Sequence, residues 1–258
     1  MGNPTPNWLK ALVALGILVA AAPLIAVAIW PRIEAVGMAR MLGHENPCVW
    51  NTPVPLPDAS ISPVEGKPVS YLGVTFNLPW GDLVKERRVE ASEFASLIFR
   101  SGQVIRVSVG GPNTEFVDGL DPRLKDPVDS QMKEYQLERS IAQLTPSGVS
   151  IWASPRTQLG LLEMKALFRA DGCKKHGIFS LATPEFKGFQ YGTPQPGIFD
   201  SRLEVRLYSP SRTAVFEFDA AYPRVPIATQ SDINLIVQSL RVDSAAASAS
   251  VPTSPMTP

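Results

Sequence analysis

The chain's two His and two Cys fall in two short clusters, His44-Glu45-Asn46-Pro47-Cys48 and Cys173-Lys174-Lys175-His176. Each cluster pairs one thiol with one imidazole at a spacing that metal sites use. If the two met in space, His44, Cys48, Cys173 and His176 would form a tetrahedral Cys2His2 set of the kind that holds structural zinc. The same two Cys have a plainer reading. In an oxidising compartment, thiols far apart in sequence form one disulfide, Cys48–Cys173, and the His residues are incidental. Unpaired thiols are the third option. The compartment decides among them, and it favours the disulfide over a metal.

Other chemistry is thin. Ser130-Gln131-Met132-Lys133 matches Ser-x-x-Lys, but the Ser-Asp-Asn and Lys-Thr-Gly partners of that motif do not occur. On a polar helix start it reads as a solvated face. Glu204, Glu217 and Asp219 could be imagined as carboxylates for acid/base work, yet they alternate with apolar residues beside Arg202 and Arg206, where cross-strand ion pairing is expected. The glycine-rich stretches Gly110-Gly111-Pro112-Asn113 and Tyr191-Gly192-Thr193-Pro194 are turn chemistry, with no phosphate-cradling loop implied. With no G-x-S-x-G, H-E-x-x-H or G-x-G-x-x-G in the chain, no catalytic residue and no cofactor is assigned.

The N-terminus sets the compartment. Residues 11–30 carry no charge and are mostly Ala, Val, Leu and Ile. At 1.5 Å per residue the run spans roughly 30 Å, a bilayer's hydrocarbon thickness. Trp8 and Trp30 flank it, where indoles favour the headgroup zone, and Pro31 marks its exit. One transmembrane anchor is expected. The alternative is a secretory signal cleaved after Ala28, at Ala26-Val27-Ala28. Lys10 lies on one side and Arg32 and Arg40 on the other, so the orientation rests on a second argument. With the N-terminus inside, both readings export the same C-terminal domain to the periplasmic side.

The 24 Lys+Arg balance 24 Asp+Glu, which argues against nucleic acid as a partner. Beyond a tail at 1–10 and the anchor at 11–30, residues 31–66 read as a juxtamembrane helix and a Pro-rich spacer. The helix is expected at 32–43 with Ile33, Val36, Gly37 and Arg40 on one face, and five Pro between 51 and 68 give an extended chain. Residues 67–243 are one domain, and 244–258, without charge or aromatic residues, read as a disordered tail. Within the domain, strands are expected at 69–78, 94–100, 103–109, 178–183, 186–191, 202–208 and 213–220. A two-residue turn at Ser101-Gly102 would set Phe94, Ser96 and Ile98 against Val109, Val107 and Ile105. Helices are expected at 129–144 (buried stripe Met132, Tyr135, Ile141, Leu144), 154–169 and 232–240. Hairpins without regular βαβ alternation mean α+β, an antiparallel sheet with helices packed on it.

Gly73-Val74-Thr75-Phe76-Asn77-Leu78-Pro79 at the domain start and Ile236-Val237-Gln238-Ser239-Leu240-Arg241 at its end resemble the bracketing segments of PsbP-like/DcrB-like domains. The resemblance implies an αβα sandwich over residues 68–243 and a binding or accessory role in place of a reaction. The expectation is thus a membrane-anchored, exported, non-enzymatic accessory or protein-binding protein of the cell envelope. Its surfaces would be the charged face of the 202–219 hairpin and the aromatic loops around Trp80 and 189–191. A metal-binding protein built on the Cys/His clusters and a small hydrolase or ligand-binding enzyme are the alternatives.

Overall fold

Leu203, Val205 and Leu207, and Ala214, Phe216 and Phe218, recur at every second position, which makes Leu203–Tyr208 and Thr213–Ala220 a strand pair with one apolar face turned to the core. A computed structural model builds the fold around this pair and describes residues 27–45, 47–56, 66–88, 94–111, 132–150, 152, 158–165, 177–194, 203–220 and 228–243. The strands are β1 (Val54–Pro55), β2 (Lys67–Tyr71), β3 (Val74–Leu78), β4 (Leu83–Arg88), β5 (Phe94–Phe99), β6 (Gln103–Gly110), β7 (Ile178–Ala182), β8 (Lys187–Tyr191), β9 (Leu203–Tyr208), β10 (Thr213–Ala220) and β11 (Arg241–Val242). The helices are α1 over 27–45, α2 (Lys133–Gln143), α3 over 158–165 and α4 (Gln230–Ser239). The fold is α+β.

Eight strands form one sheet in the order β1-β7-β8-β9-β10-β6-β5-β4, and β11-β3-β2 form a second, smaller sheet. Every pairing is antiparallel except β1 with β7, so the large sheet is mixed. The exception comes from the expected spacer. Val54 and Pro55 lie beside Phe179 and Ser180 at the sheet edge, where a strand containing Pro is tolerated, and Leu56 N donates to Ser180 O.

The main core lies between the two sheets. Leu203, Val205, Leu207, Ala214, Phe216 and Phe218 meet Val74, Phe76 and Leu78 of β3 and Ile233, Ile236 and Val237 of α4. Phe76 stands edge-on to Phe216 with ring centroids 5.1 Å apart. Thr229 and Asp232 close a capping box at the start of α4, a device that contributes about 1 kcal/mol. The two segments that carry the family resemblance also meet here. Arg241 and Val242 pair with Thr75 and Val74, and Asn77 N donates to Ser239 Oγ at 2.8 Å.

The β5–β6 hairpin corrects the expected register. The pairs are Phe94–Ser108, Ser96–Arg106 and Ile98–Val104, one residue away from the two-residue-turn alignment. The turn has three residues, with Gly102 N donating to Phe99 O and Gly102 at φ 93°. Asp82 steadies it by accepting from Ser101 N. A one-residue slip exchanges faces. Ala95, Leu97 and Phe99 enter the core with Ile105, Val107 and Val109, whereas Phe94, Ser96 and Ile98 face the other way.

α1 also differs from expectation. It runs through Pro31 without a break at the expected exit, and the face it buries holds Ala35, Ala39 and Leu42, against Leu162 of α3 and Val49. Ile33, Gly37 and Arg40, which share the expected face with Val36, are exposed. Among the described residues no helix is long and apolar enough to cross a membrane. Residues 11–26 of the apolar run, the Ser154-Pro155 helix start and the 244–258 tail lie outside the described residues.

Candidate functional site

The second face of the large sheet carries the polar residues of β9 and β10. Register puts Glu204 opposite Tyr191 on β8 and Glu217 on β10, and Arg206 opposite Phe189 and Val215. Two carboxylates directly across a strand pair repel, so cations must be drawn in. Arg206 Nε donates to Glu204. Arg106 lies 3.6 Å from Glu217 and 3.0 Å from Asp219. The ion pairing expected on this face is therefore present, with Arg106 as a partner the sequence did not nominate, while Arg202 lies outside the described residues.

α2 covers the β8–β9 half of this face. Tyr135 stacks on Phe189 at 5.6 Å between centroids, and Glu134 accepts from Thr213 Oγ1 at 2.6 Å. Between them Glu138, buried to 4%, points into the sheet. Its two carboxylate oxygens accept from the hydroxyls of Tyr191 and Tyr208, and Arg206 Nη1 lies 3.8 Å away. Burial pushes the Glu138 carboxyl up, and the opposing pull of Arg206 and the two tyrosines does not offset it. Burial also works against the charged form of Arg206. The carboxylates of Glu138 and Glu204 outweigh it and hold the guanidinium protonated. Burial, then the charge of Glu138, pushes both tyrosine hydroxyls well above their usual range, so they act as donors. The Arg206 guanidinium also lies 5.4 Å from the Tyr191 ring centre.

Where α2 ends its cover, the face opens into a cleft of about 410 Å³ lined by Phe94, Ser108, Glu204, Arg206, Tyr208, Val215 and Glu217. Glu204, Arg206 and Glu217 bring charge to the lining, Phe94 and Tyr208 stand at its two sides on β5 and β9, and Tyr208 ties it to the buried Glu138. Such a lining takes a polar or charged group and positions it by hydrogen bonds. The β5 register makes the cleft, since it is the slip that brings Phe94 to this face.

The structure redistributes the expected surfaces. Trp80 packs edge-on against Phe99 at 5.0 Å, on the core side. Phe189 and Tyr191 are buried beneath α2. Neither forms an exposed aromatic loop, because α2 and the hairpins cover them. Of the charged face of β9 and β10, α2 covers the side toward β8, around Tyr191 and Glu138, and the cleft opens along Glu204, Arg206 and Glu217.

Cys48 follows α1 in a short turn, Pro47–Trp50, and is disulfide-bonded. A sulfur in a disulfide has no thiolate to offer a metal. His44 lies exposed on α1, whereas Cys173 and His176 lie outside the described residues. Among the described residues no group of His, Cys, Asp or Glu could hold a metal ion. Lys133 of the Ser-x-x-Lys motif begins α2, and Ser130 lies outside the described residues.

Two buried charged side chains were missed in the sequence. The expected stripe Met132, Tyr135, Ile141, Leu144 leaves a gap in its spacing of three, and Glu138 fills it. A charged residue inside an apolar stripe was the available signal. Lys165 is the other, exposed by 1%, with Nζ donating to Ala142 O at 2.8 Å and Asn51 O at 3.4 Å. Burial lowers its pKa to about 8. It lies one turn after Leu162 on the packed face of α3. No family model, no curated protein and no solved structure matches the chain.

Proposed function

We propose that this protein is a membrane-anchored accessory protein, whose α+β domain lies on the extracytoplasmic side and binds a protein partner through the open half of its charged sheet face. The observation that carries the reading is α1. Its first turns expose Val27, Ile29, Trp30 and Ile33, continuing the uncharged run of residues 11–30, while its later turns pack on the domain beside a disulfide-bonded Cys48. An exposed apolar helix end suits lipid, and a disulfide suits an oxidising compartment. With two Cys in the chain, Cys173 is the partner available within it. The meeting of β3 with the end of α4 and β11 supports the PsbP-like, αβα-sandwich reading of the domain.

The test is a free-thiol count on protein taken from native membranes under alkylating conditions, combined with protease digestion of intact cells or spheroplasts. No free thiol and digestion from outside are expected. Two free thiols with bound zinc, or protection from external protease, would overturn the reading in favour of the metal-binding alternative or the opposite topology. The cleft itself favours a second reading, in which it takes a small polar ligand. A library screened by thermal shift would then give hits that Phe94→Ala abolishes, and hits indifferent to that change would remove it.

A further inference from the structure

The cleft on the second face of the large sheet is lined by Glu204 of β9 and Glu217 of β10, which the register sets directly opposite each other. Such side chains have Cβ atoms about 5 Å apart, and like charges in that position repel. Glu204 is only 7% exposed, so little water is left to offset the repulsion. A pair placed this way is close enough for one donor group to serve both members.

The donors of this face are committed within the fold. Arg206 Nε donates to Glu204, and Arg206 Nη1 lies 3.8 Å from Glu138, so one guanidinium serves two carboxylates. Tyr208 gives its hydroxyl to Glu138. Arg106 lies 3.6 Å from Glu217 but 3.0 Å from Asp219. An anionic ligand would have to take these donors from their acceptors and approach two carboxylates. A cationic one meets acceptors instead. A carboxylate accepts up to about four hydrogen bonds, so an incoming donor adds to the partners that Glu204 and Glu217 already hold.

The rest of the lining selects among cations. Phe94 and Tyr208 bring aromatic rings, and Val215 adds an apolar surface. Ring faces attract ammonium and guanidinium groups, and an alkyl stem covers apolar surface while its charged head reaches polar partners. The volume of about 410 Å³ is at the small end of the range for ligand sites, about 300–1,000 Å³. We infer that the cleft receives one Lys or Arg side chain of a protein partner, with its charged head between Glu204 and Glu217 and its stem against Phe94 and Val215. The inference rests on the protein-binding reading of this face and names the chemistry the partner brings to it.

The experiment is isothermal titration of the full chain in a non-ionic detergent. The probes are the N-acetyl methylamides of Lys, Arg, norleucine and Glu, with n-butylammonium as a free amine. Wild type is compared with Glu217→Gln and Phe94→Leu, and near-UV circular dichroism verifies each fold. Arg106 keeps Asp219 when Glu217 loses its charge, and Phe94→Leu leaves every carboxylate in place. Binding of the Lys or Arg probe is expected, weakened at least about tenfold by Glu217→Gln and about twofold to fivefold by Phe94→Leu. The same affinity for n-butylammonium as for the Lys probe overturns the inference in favour of a free amine. Basic probes that bind wild type and Glu217→Gln alike, or no binding of either basic probe, also overturn it. A Glu or norleucine probe that binds in their place and is lost with Phe94→Leu overturns the inference but leaves the face as a binding surface. The anchor and the disulfide are read separately, by the thiol count and protease digestion above.

Discussion

Glu138 is a carboxylate in a place where a carboxylate is costly, and it is held by three donors. Tyr191 and Tyr208 each supply a hydroxyl, and Arg206 a charge at 3.8 Å. Removing one member of a buried charge pair costs about 3–5 kcal/mol, but Arg206 keeps Glu204, so Glu138→Gln is expected to cost less, about 2–3 kcal/mol in urea unfolding. Tyr208→Phe should cost about 1–2 kcal/mol, and the double variant should show a coupling above about 0.5 kcal/mol; simple additivity would mean that the three groups do not act as a network. Lys165 makes a prediction in pH. Folded, it releases its proton near 8 in place of 10.5. Between those values the unfolded chain binds more protons, so stability rises with pH through that window and falls as pH drops through the folded value. The gain between about pH 7 and about pH 9.5 is about 2 kcal/mol. Lys165→Met, which cannot titrate, should remove that gain, although it leaves the carbonyls of Ala142 and Asn51 without their donor. Parallel pH profiles for variant and wild type would assign the dependence elsewhere.

At the scale of elements, Gly188 of β8 leaves no room for a side chain against β9. A Cβ there would meet Arg206 O at 1.9 Å and Leu207 Cα at 3.0 Å, both backbone atoms that cannot rotate away. Gly188→Ala therefore has to separate β8 from β9, carrying Tyr191 away from Arg206 and Glu138. A loss above about 4 kcal/mol, the range reserved for such disruptions, is expected in denaturant unfolding; a loss near that of an ordinary surface change would mean that β8 moves freely. The elements themselves were largely legible in the sequence. Alternation of period two placed β9 and β10 together with their core face, and the Ile233, Ile236, Val237, Leu240 series placed α4. The β5–β6 register was not legible, because Phe94-Ala95-Ser96-Leu97-Ile98-Phe99 and Val104-Ile105 are apolar on both sides and the turn length decides which side faces the core. Nor was the covering of the charged face by α2. A strand pattern says that one side is polar, and another element decides whether that side meets water or a buried Glu138.

For the molecule as a whole, the arrangement couples α1 to the domain in place of leaving a loose tether. α1 buries Ala35, Ala39 and Leu42 against α3, the following turn carries the disulfide-bonded Cys48, and the chain then adds β1 to the edge of β7. Five Pro between 51 and 68 suggest an extended, unpacked spacer, and the first part of that stretch instead pairs as a strand, since an unpaired β7 edge offers donors and acceptors that an extended segment satisfies. α1 buries only a stripe of Ala35, Ala39 and Leu42 among its described residues, so the disulfide should carry much of the coupling. A disulfide of this kind contributes about 2–4 kcal/mol, chiefly by restricting the unfolded chain. Cys48→Ser should therefore lower the thermal midpoint. It should also raise amide hydrogen exchange in α1 and β1 well before it does so in β6 and β10, whose strands lie at the centre of the sheet. If exchange rose evenly across the sheet, the disulfide would be stabilising the fold as one unit. If α1 stayed protected while the midpoint fell, helix packing alone would hold α1 to the domain after reduction.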